Sequence, residues 1–210
     1  GHARAVAGAL PLPDDRVLSW SADGTLRVWH LPTADNRILA GHLDRVTGVL
    51  LLPDERALSW SADGTLRVWH LPSGASRTLT GHTGRVIGAS ILPDDRILSW
   101  GDDGTLRGWN IQTGQATVLA GHAGPVRGAH ALSDSRVLSW SADRTMRVWD
   151  LASGEGRALF GHEHSVDGVL LLPDRRALSW SADSTLRVWG LATDSTPPMA
   201  DKISRPLSLY

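Results

Sequence analysis

The stretch ALSWSADGTLRVWH at 57–70 sets a serine, an aspartate, a tryptophan and a histidine close together. Nearly the same string stands at 17–30, and an altered one, ILSWGDDGTLRGWN, at 97–110; each copy trails a Gly-His pair. Serine, histidine and aspartate are the parts of a nucleophilic triad, in which imidazole takes the serine proton and carboxylate orients the imidazole. Histidine and aspartate also ligate metals. Buried together, the same side chains can instead satisfy one another's hydrogen bonds in a scaffold. Catalysis needs a cleft, an oxyanion hole and one optimised copy, whereas this set recurs in every repeat with its tryptophan. A metal site needs a second ligand at suitable spacing, but each copy offers one regularly placed histidine, and His162 and His164 form an isolated pair. The scaffold reading is preferred; no enzyme, metal or cofactor is expected, and a hydrolase is kept only as a remote alternative.

The elements that hold these residues follow from an internal repeat. Gly-His recurs at 1, 41, 81, 121 and 161, a period of 40 without insertion. The 10 tryptophans fall at 20, 60, 100, 140 and 180, and at 29, 69, 109, 149 and 189. In the copy at 41–80, VTGVLLL (46–52), RALSWS (56–61), TLRVWHL (65–71) and SRTLT (76–80) are β-prone runs separated by the turn signals PDE, ADG and PSG. Asp-Gly between two such runs marks a hairpin. No sustained spacing of three and four argues for a helix. The chain is expected to be all-β, with four short antiparallel strands per unit. One such sheet cannot bury both faces alone, so units must stack on their neighbours.

Composition narrows the function classes. With 41% apolar residues, 20% charged residues and a formal charge of −1 across 210 residues, no overall basic field recommends nucleic acid. No cysteine is present, which excludes disulfides and thiolate chemistry. The longest apolar runs, such as GVLLL at 48–52, fall far short of the roughly 20 residues a membrane-spanning helix needs. A soluble, cytoplasmic protein is expected. Of the 21 basic residues only Lys202 is lysine, a bias that fits a GC-rich bacterial genome.

Four strands per 40 residues, with Gly-His ahead and tryptophan late in the third strand, resembles the WD-repeat β-propeller family over residues 1–190. The aspartate that names the family follows tryptophan only at Asp150; His30, His70, Asn110 and Gly190 stand in the other copies. The resemblance implies five four-stranded blades at 1–40, 41–80, 81–120, 121–160 and 161–190, with a tail at 191–210. The tail holds no segment like RTLTGH, so an incomplete or open ring lacking its last outer strand is expected, unless the tail improvises a strand around Ile203 to Leu209. An unclosed array would expose strand edges and an inter-blade face, which invites pairing with a second copy.

The family's blades carry a hydrogen-bonded tetrad. Carried over by motif position, it would comprise His2, Ser19, Asp23 and Trp29, then His42, Ser59, Asp63 and Trp69. The next sets would be His82, Ser99, Asp103 and Trp109; His122, Ser139, Asp143 and Trp149; and His162, Ser179, Asp183 and Trp189. Trp60 and its four equivalents, on the face opposite the tetrad serine, are expected to pack between blades.

The resemblance also places partner recognition on the rim beside the Gly-His loop. The positions that vary there include Arg45, Thr47, Arg85, Ile87, Asp102, Arg127, Ser165 and Asp167. Arg45, Arg85 and Arg127 form a basic arc suited to acidic or phosphorylated peptides, interrupted by Asp102 and Asp167. Arg56 and Arg67, which recur unchanged, are read as serving the fold. The function implied is a non-catalytic protein-interaction scaffold, the docking or sensor part of a larger bacterial signalling protein. A lectin with five equivalent sugar sites is the alternative, and it requires one exposed tryptophan per repeat.

Overall fold

The computed structural model describes residues 1–92, 96–132, 135–191 and, for their backbone, 201–203. Its elements are all strands; among the described residues there is no helix, and hence none long and apolar enough to cross a membrane. The first sheet holds β1 (Val6–Leu12), β2 (Arg16–Ser21), β3 (Thr25–His30) and β4 (Asn36–Ala40). The second holds β5 (Val46–Leu52), β6 (Arg56–Ser61), β7 (Leu66–His70) and β8 (Ser76–Leu79). The third is built from β9 (Val86–Ile91), β10 (Ile97–Gly101), β11 (Thr105–Trp109) and β12 (Ala116–Ala120). The fourth comprises β13 (Val126–Ala131), β14 (Arg136–Ser141), β15 (Met146–Asp150) and β16 (Gly156–Leu159). The fifth comprises β17 (Val166–Leu172), β18 (Arg176–Ser181), β19 (Leu186–Gly190) and β20 (Asp201–Ile203). Within every sheet, spatial order follows chain order. These are propeller-type blades. The chain forms two compact units, Gly1–Asp103 with Arg107–Ala116, and Gly104–Leu106 with Thr117–Tyr210.

The fourth strand of the last sheet corrects the expectation that it would be missing. Three residues of the tail pair antiparallel with β19, Ile203 opposite Leu186. In the second sheet the same register sets Leu79 opposite Leu66. Of the four residues of β8 only Leu79 is buried, so an outer strand needs little more than one apolar residue in the right register. A segment unlike RTLT can therefore serve. Residues 204–210, the rest of the expected improvised strand, lie outside the described residues.

Turn chemistry is local. In the β5–β6 turn Asp54 and Glu55 have φ of 58° and 51°, and the Arg56 N–H donates to the Pro53 carbonyl at 3.3 Å. Two consecutive left-handed residues make the tight hairpin turn whose twist matches the strands. In the β6–β7 turn Gly64 takes a φ of 80° at no steric cost.

Burial comes from sheet stacked on sheet. In the first unit Leu18, Leu26 and Leu39 of the first sheet pack on Val46, Val49 and Trp69 of the second. Leu58, Leu66 and Leu79 of the second pack likewise on Val86, Ile97 and Trp109 of the third. In the second unit Leu138, Met146 and Leu159 meet Val166, Val169 and Trp189. Each sheet thus presents a leading face, carrying the third-strand tryptophan, and a trailing face rich in leucine.

The second tryptophan of each repeat lies over a glycine. Gly48 is cross-strand from Trp60, and a Cβ on that glycine would stand 2.1 Å from the indole ring. Gly8, Gly88, Gly128 and Gly168 meet Trp20, Trp100, Trp140 and Trp180 in the same way. The aromatic ring covers the backbone that the glycine leaves bare. Trp20, Trp60 and Trp140 also contribute to the inter-sheet clusters, as expected. Trp180 departs from that expectation: it is 42% exposed against 9% for Trp140.

Candidate functional site

The Gly-His loop, the second and third strands, and the turn between them bring each predicted tetrad together. In the second sheet the Trp69 indole N–H donates to Ser59 Oγ at 2.8 Å. Ser59 Oγ lies 2.7 Å from His42 Nε2, and His42 Nδ1 lies 3.0 Å from Asp63 Oδ2. The four other sets repeat this, with serine–histidine distances of 2.8, 2.8, 2.8 and 2.7 Å and indole–serine distances of 2.8 Å. Their histidine–aspartate distances run from 2.8 to 3.1 Å.

Proton bookkeeping fixes the polarity of the chain. Indole can only donate and an ionised carboxylate can only accept. The serine hydroxyl, accepting from indole, therefore donates to Nε2, and Nδ1–H donates to the aspartate. This is the polarity of a catalytic triad. Yet Ser59, Ser99, Ser139 and Ser179 are wholly buried, and an indole N–H occupies the oxygen lone pair that would attack.

Electrostatics keeps the histidine neutral and the aspartate charged. Burial pushes the imidazoles of His42, His82 and His122 below the usual histidine range; the facing aspartate opposes this, and a nearby arginine reinforces it. Burial acts the other way on Asp143, but hydrogen bonds from the Thr145 hydroxyl and N–H, the Ala123 N–H and His122 outweigh it and hold the carboxyl at about 2. Asp23, Asp63 and Asp183 are lowered against burial by the same kind of bonds. Among the described residues no His, Cys, Asp or Glu cluster could hold a metal ion.

Sequence reasoning missed several supports of this network. Thr65 donates through its hydroxyl to Asp63 Oδ1 at 2.7 Å, and the Leu43 N–H donates to Oδ2 at 2.8 Å. Ser61, two residues before the aspartate, is within 3.0 Å of the Asp44 carbonyl and 2.9 Å of the Arg45 carbonyl, and accepts from the Asp63 N–H at 3.1 Å. Arg67, already expected to serve the fold, lies over the Trp69 ring at 5.7 Å and against Gly41. Thr65 recurs in every repeat and Ser61 in all but the third, where Gly101 stands, so part of the signal was in the repeat itself.

The rim residues fare differently from one another. In the first unit Arg45 is exposed, whereas Arg85 is half-buried with its Nε 3.2 Å from Asp102 Oδ2. Asp102 is thus the counter-ion of the arginine beside it. Thr47 is drawn into the scaffold, its hydroxyl 3.2 Å from the Trp60 carbonyl and 3.1 Å from the Val86 carbonyl of the next sheet. Ile87 is half-buried. In the second unit Arg127 and Asp167 are exposed, and the buried Ser165 hydroxyl has no hydrogen-bond partner among the described residues.

Comparison with known proteins agrees with the repeat. The family model described as WD domain, G-beta repeat, matches residues 35–70, 74–110 and 114–150, together just over half of the chain. No curated protein matches.

Proposed function

Since the chain belongs to the WD domain, G-beta repeat family, we propose that it is a non-catalytic protein-interaction scaffold, the docking or sensor part of a larger bacterial signalling protein in the cytoplasm. The observation that carries this reading is the saturation of the tetrads. Every side chain that could do chemistry there is buried and bonded to a partner of its own blade. The tetrads hold the blades, and recognition falls to the positions that change from one repeat to the next.

Among those positions Arg45 and Arg127 are exposed. Guanidinium groups pair with carboxylates and phosphates through two parallel hydrogen bonds, so acidic or phosphorylated peptides are the partners assigned. Arg85, held by Asp102, contributes less. The lectin reading loses support, because it asks for five equivalent exposed rings and the rings of Trp20, Trp60 and Trp140 serve the inter-sheet clusters. Self-association of uncovered blades belongs to the same reading.

A peptide array holding matched neutral, acidic and phosphorylated sequences tests the assignment. Acidic or phosphorylated peptides should be retained at low salt and released at high salt, and Arg45→Glu should weaken retention several-fold without changing the melting temperature. Equal retention of neutral peptides, or no effect of R45E, would overturn it.

A further inference from the structure

The outer edges of the sheets are alike in geometry and unlike in charge. The strands β4, β8, β12 and β16 each end their sheet, so one side of each carries no strand. At β12 the hairpin closes with the Asn110 N–H donating to the Gln115 carbonyl at 2.9 Å. Antiparallel bonds recur at every second residue, so Thr117 and Leu119 bond β11, while Ala116, Val118 and Ala120 turn their N–H and C=O groups outward. A row of this kind is a template for one more strand.

Natural sheets blunt such edges with charge. β4, β8 and β16 do so with Arg37, Arg77 and Arg157, each the second residue of its strand. Arg37 and Arg77 also donate to the Pro72 and Gln112 carbonyls of the neighbouring sheet. Thr117 takes this place in β12, and residues 111–121, IQTGQATVLAG, hold no charged side chain. Thr117 is exposed, and Val118 is 43% exposed. Gly154 reaches this strand only at ordinary contact: a Cβ added to it would stand 3.8 Å from Thr117 Cγ2 and 3.7 Å from the Val118 carbonyl oxygen. The fifth sheet shows what fills an outer position. There Asp201–Ile203, a short segment outside the repeat pattern, pairs antiparallel with β19, Ile203 opposite Leu186.

We infer that the outer edge of β12 takes up a short, extended, uncharged segment of another protein as a fifth strand. Main-chain hydrogen bonds hold such a segment, and an apolar side chain opposite Val118 sets its register. An edge of five residues suits a peptide rather than a second folded copy, since stable contacts between folded proteins bury about 800 Å² on each partner. Charge separates this surface from the rim. Acidic peptides assigned to the rim should be released by salt, whereas backbone pairing at an uncharged edge is indifferent to it.

Fluorescence anisotropy of the full chain with a fluorescein-labelled peptide QATVLA, the sequence of residues 115–120, tests this. An identical strand can lie antiparallel beside β12 and answer its outward groups. The peptide should bind to saturation, with little change between low and high salt, and Arg45→Glu should leave its binding untouched. Val118→Pro removes an outward N–H that the sheet does not use, so the fold stands and binding should weaken about tenfold. Thr117→Arg, which restores the residue of the sister strands, should weaken it several-fold. A peptide N-methylated at every residue has no N–H to give and should not bind, a control that needs no variant to fold. No binding of QATVLA, equal binding of its N-methylated form, or equal binding by folded V118P or T117R overturns the inference. So does a chain that grows in mass without peptide and no longer does so as V118P, which would give the edge to a second copy.

Discussion

Ser59 sits at the junction of the tetrad, accepting from an indole and donating to an imidazole, so its loss is felt at both ends. Ser59→Ala leaves the Trp69 N–H and His42 Nε2 buried and unpaired, which should cost about 1–3 kcal/mol. Chemical denaturation should register this as a lower midpoint, and the same substitution at Ser139 should behave alike. If the serine were a nucleophile, Ser59→Ala would instead abolish a hydrolysis while leaving the midpoint unchanged. Acid should act on the same network. The unfolded chain takes up protons on histidine near pH 6.5 and on aspartate near 3.9, as ordinary side chains do. The folded chain binds them only at lower pH at His42, His82, His122, Asp23, Asp63, Asp143 and Asp183, all of which are lowered. Stability is then greatest above about pH 6.5, declines as pH falls through the lowered histidine values, and declines again below about pH 4 as the carboxylates protonate. Thermal unfolding from pH 8 to pH 3 should follow that course; a melting temperature that rises from pH 7 to pH 5 would contradict it. The tetrad could be placed on the sequence through the resemblance to the WD-repeat family, whose four residue types keep one spacing in all five repeats. Its polarity could not, since that depends on which atom of each side chain meets which.

At the scale of the strand and turn, repeats that are nearly identical allow one copy to serve as control for another. The β6–β7 turn uses Gly64 at a φ of 80°, and the matching positions in the fourth and fifth repeats hold Arg144 at 75° and Ser184 at 64°. A left-handed backbone costs a residue with a Cβ about 1–2 kcal/mol. Arg144→Gly should therefore stabilise the protein by about 1 kcal/mol, a gain visible in thermal unfolding, whereas Gly64→Arg should lose a similar amount. Gly48→Ala drives a Cβ into the Trp60 ring and should cost about 1–3 kcal/mol by overpacking. Combined with Trp60→Ala it should cost less than the sum of the two single changes, a double-mutant cycle measuring the coupling. Strand positions were legible because period-two runs alternate with Asp-Gly and Pro-Asp turns. The strand at Asp201–Ile203 was legible only as a tail that improvises around Ile203, since an outer strand such as β8 buries only one side chain and so carries almost no pattern. The glycine beneath Trp60 was overlooked for a related reason: the two are 12 residues apart and meet only through strand register.

Over the whole molecule, stability is expected to be uneven. The second sheet is covered on both faces, but the fifth exposes Trp180 and Leu170 on one of them. Local opening follows burial. Amides of β18 should exchange with solvent faster than the matching amides of β6, by about tenfold for each 1.4 kcal/mol of difference in opening free energy. Which sheet faces are left uncovered is not written in any local motif. Val6 and Val46 occupy the same place in the repeat, yet Val46 is 1% exposed because the second sheet packs on the first, and Val6 is 58% exposed. The inter-sheet contacts have one more consequence. Because they use the same residues at successive junctions, a whole 40-residue unit can be inserted or deleted and leave the remaining junctions chemically unchanged. Blade number is then a heritable variable that duplication or loss of a gene segment can alter without first passing through a poorly packed protein. The rim can diversify one duplicate at a time.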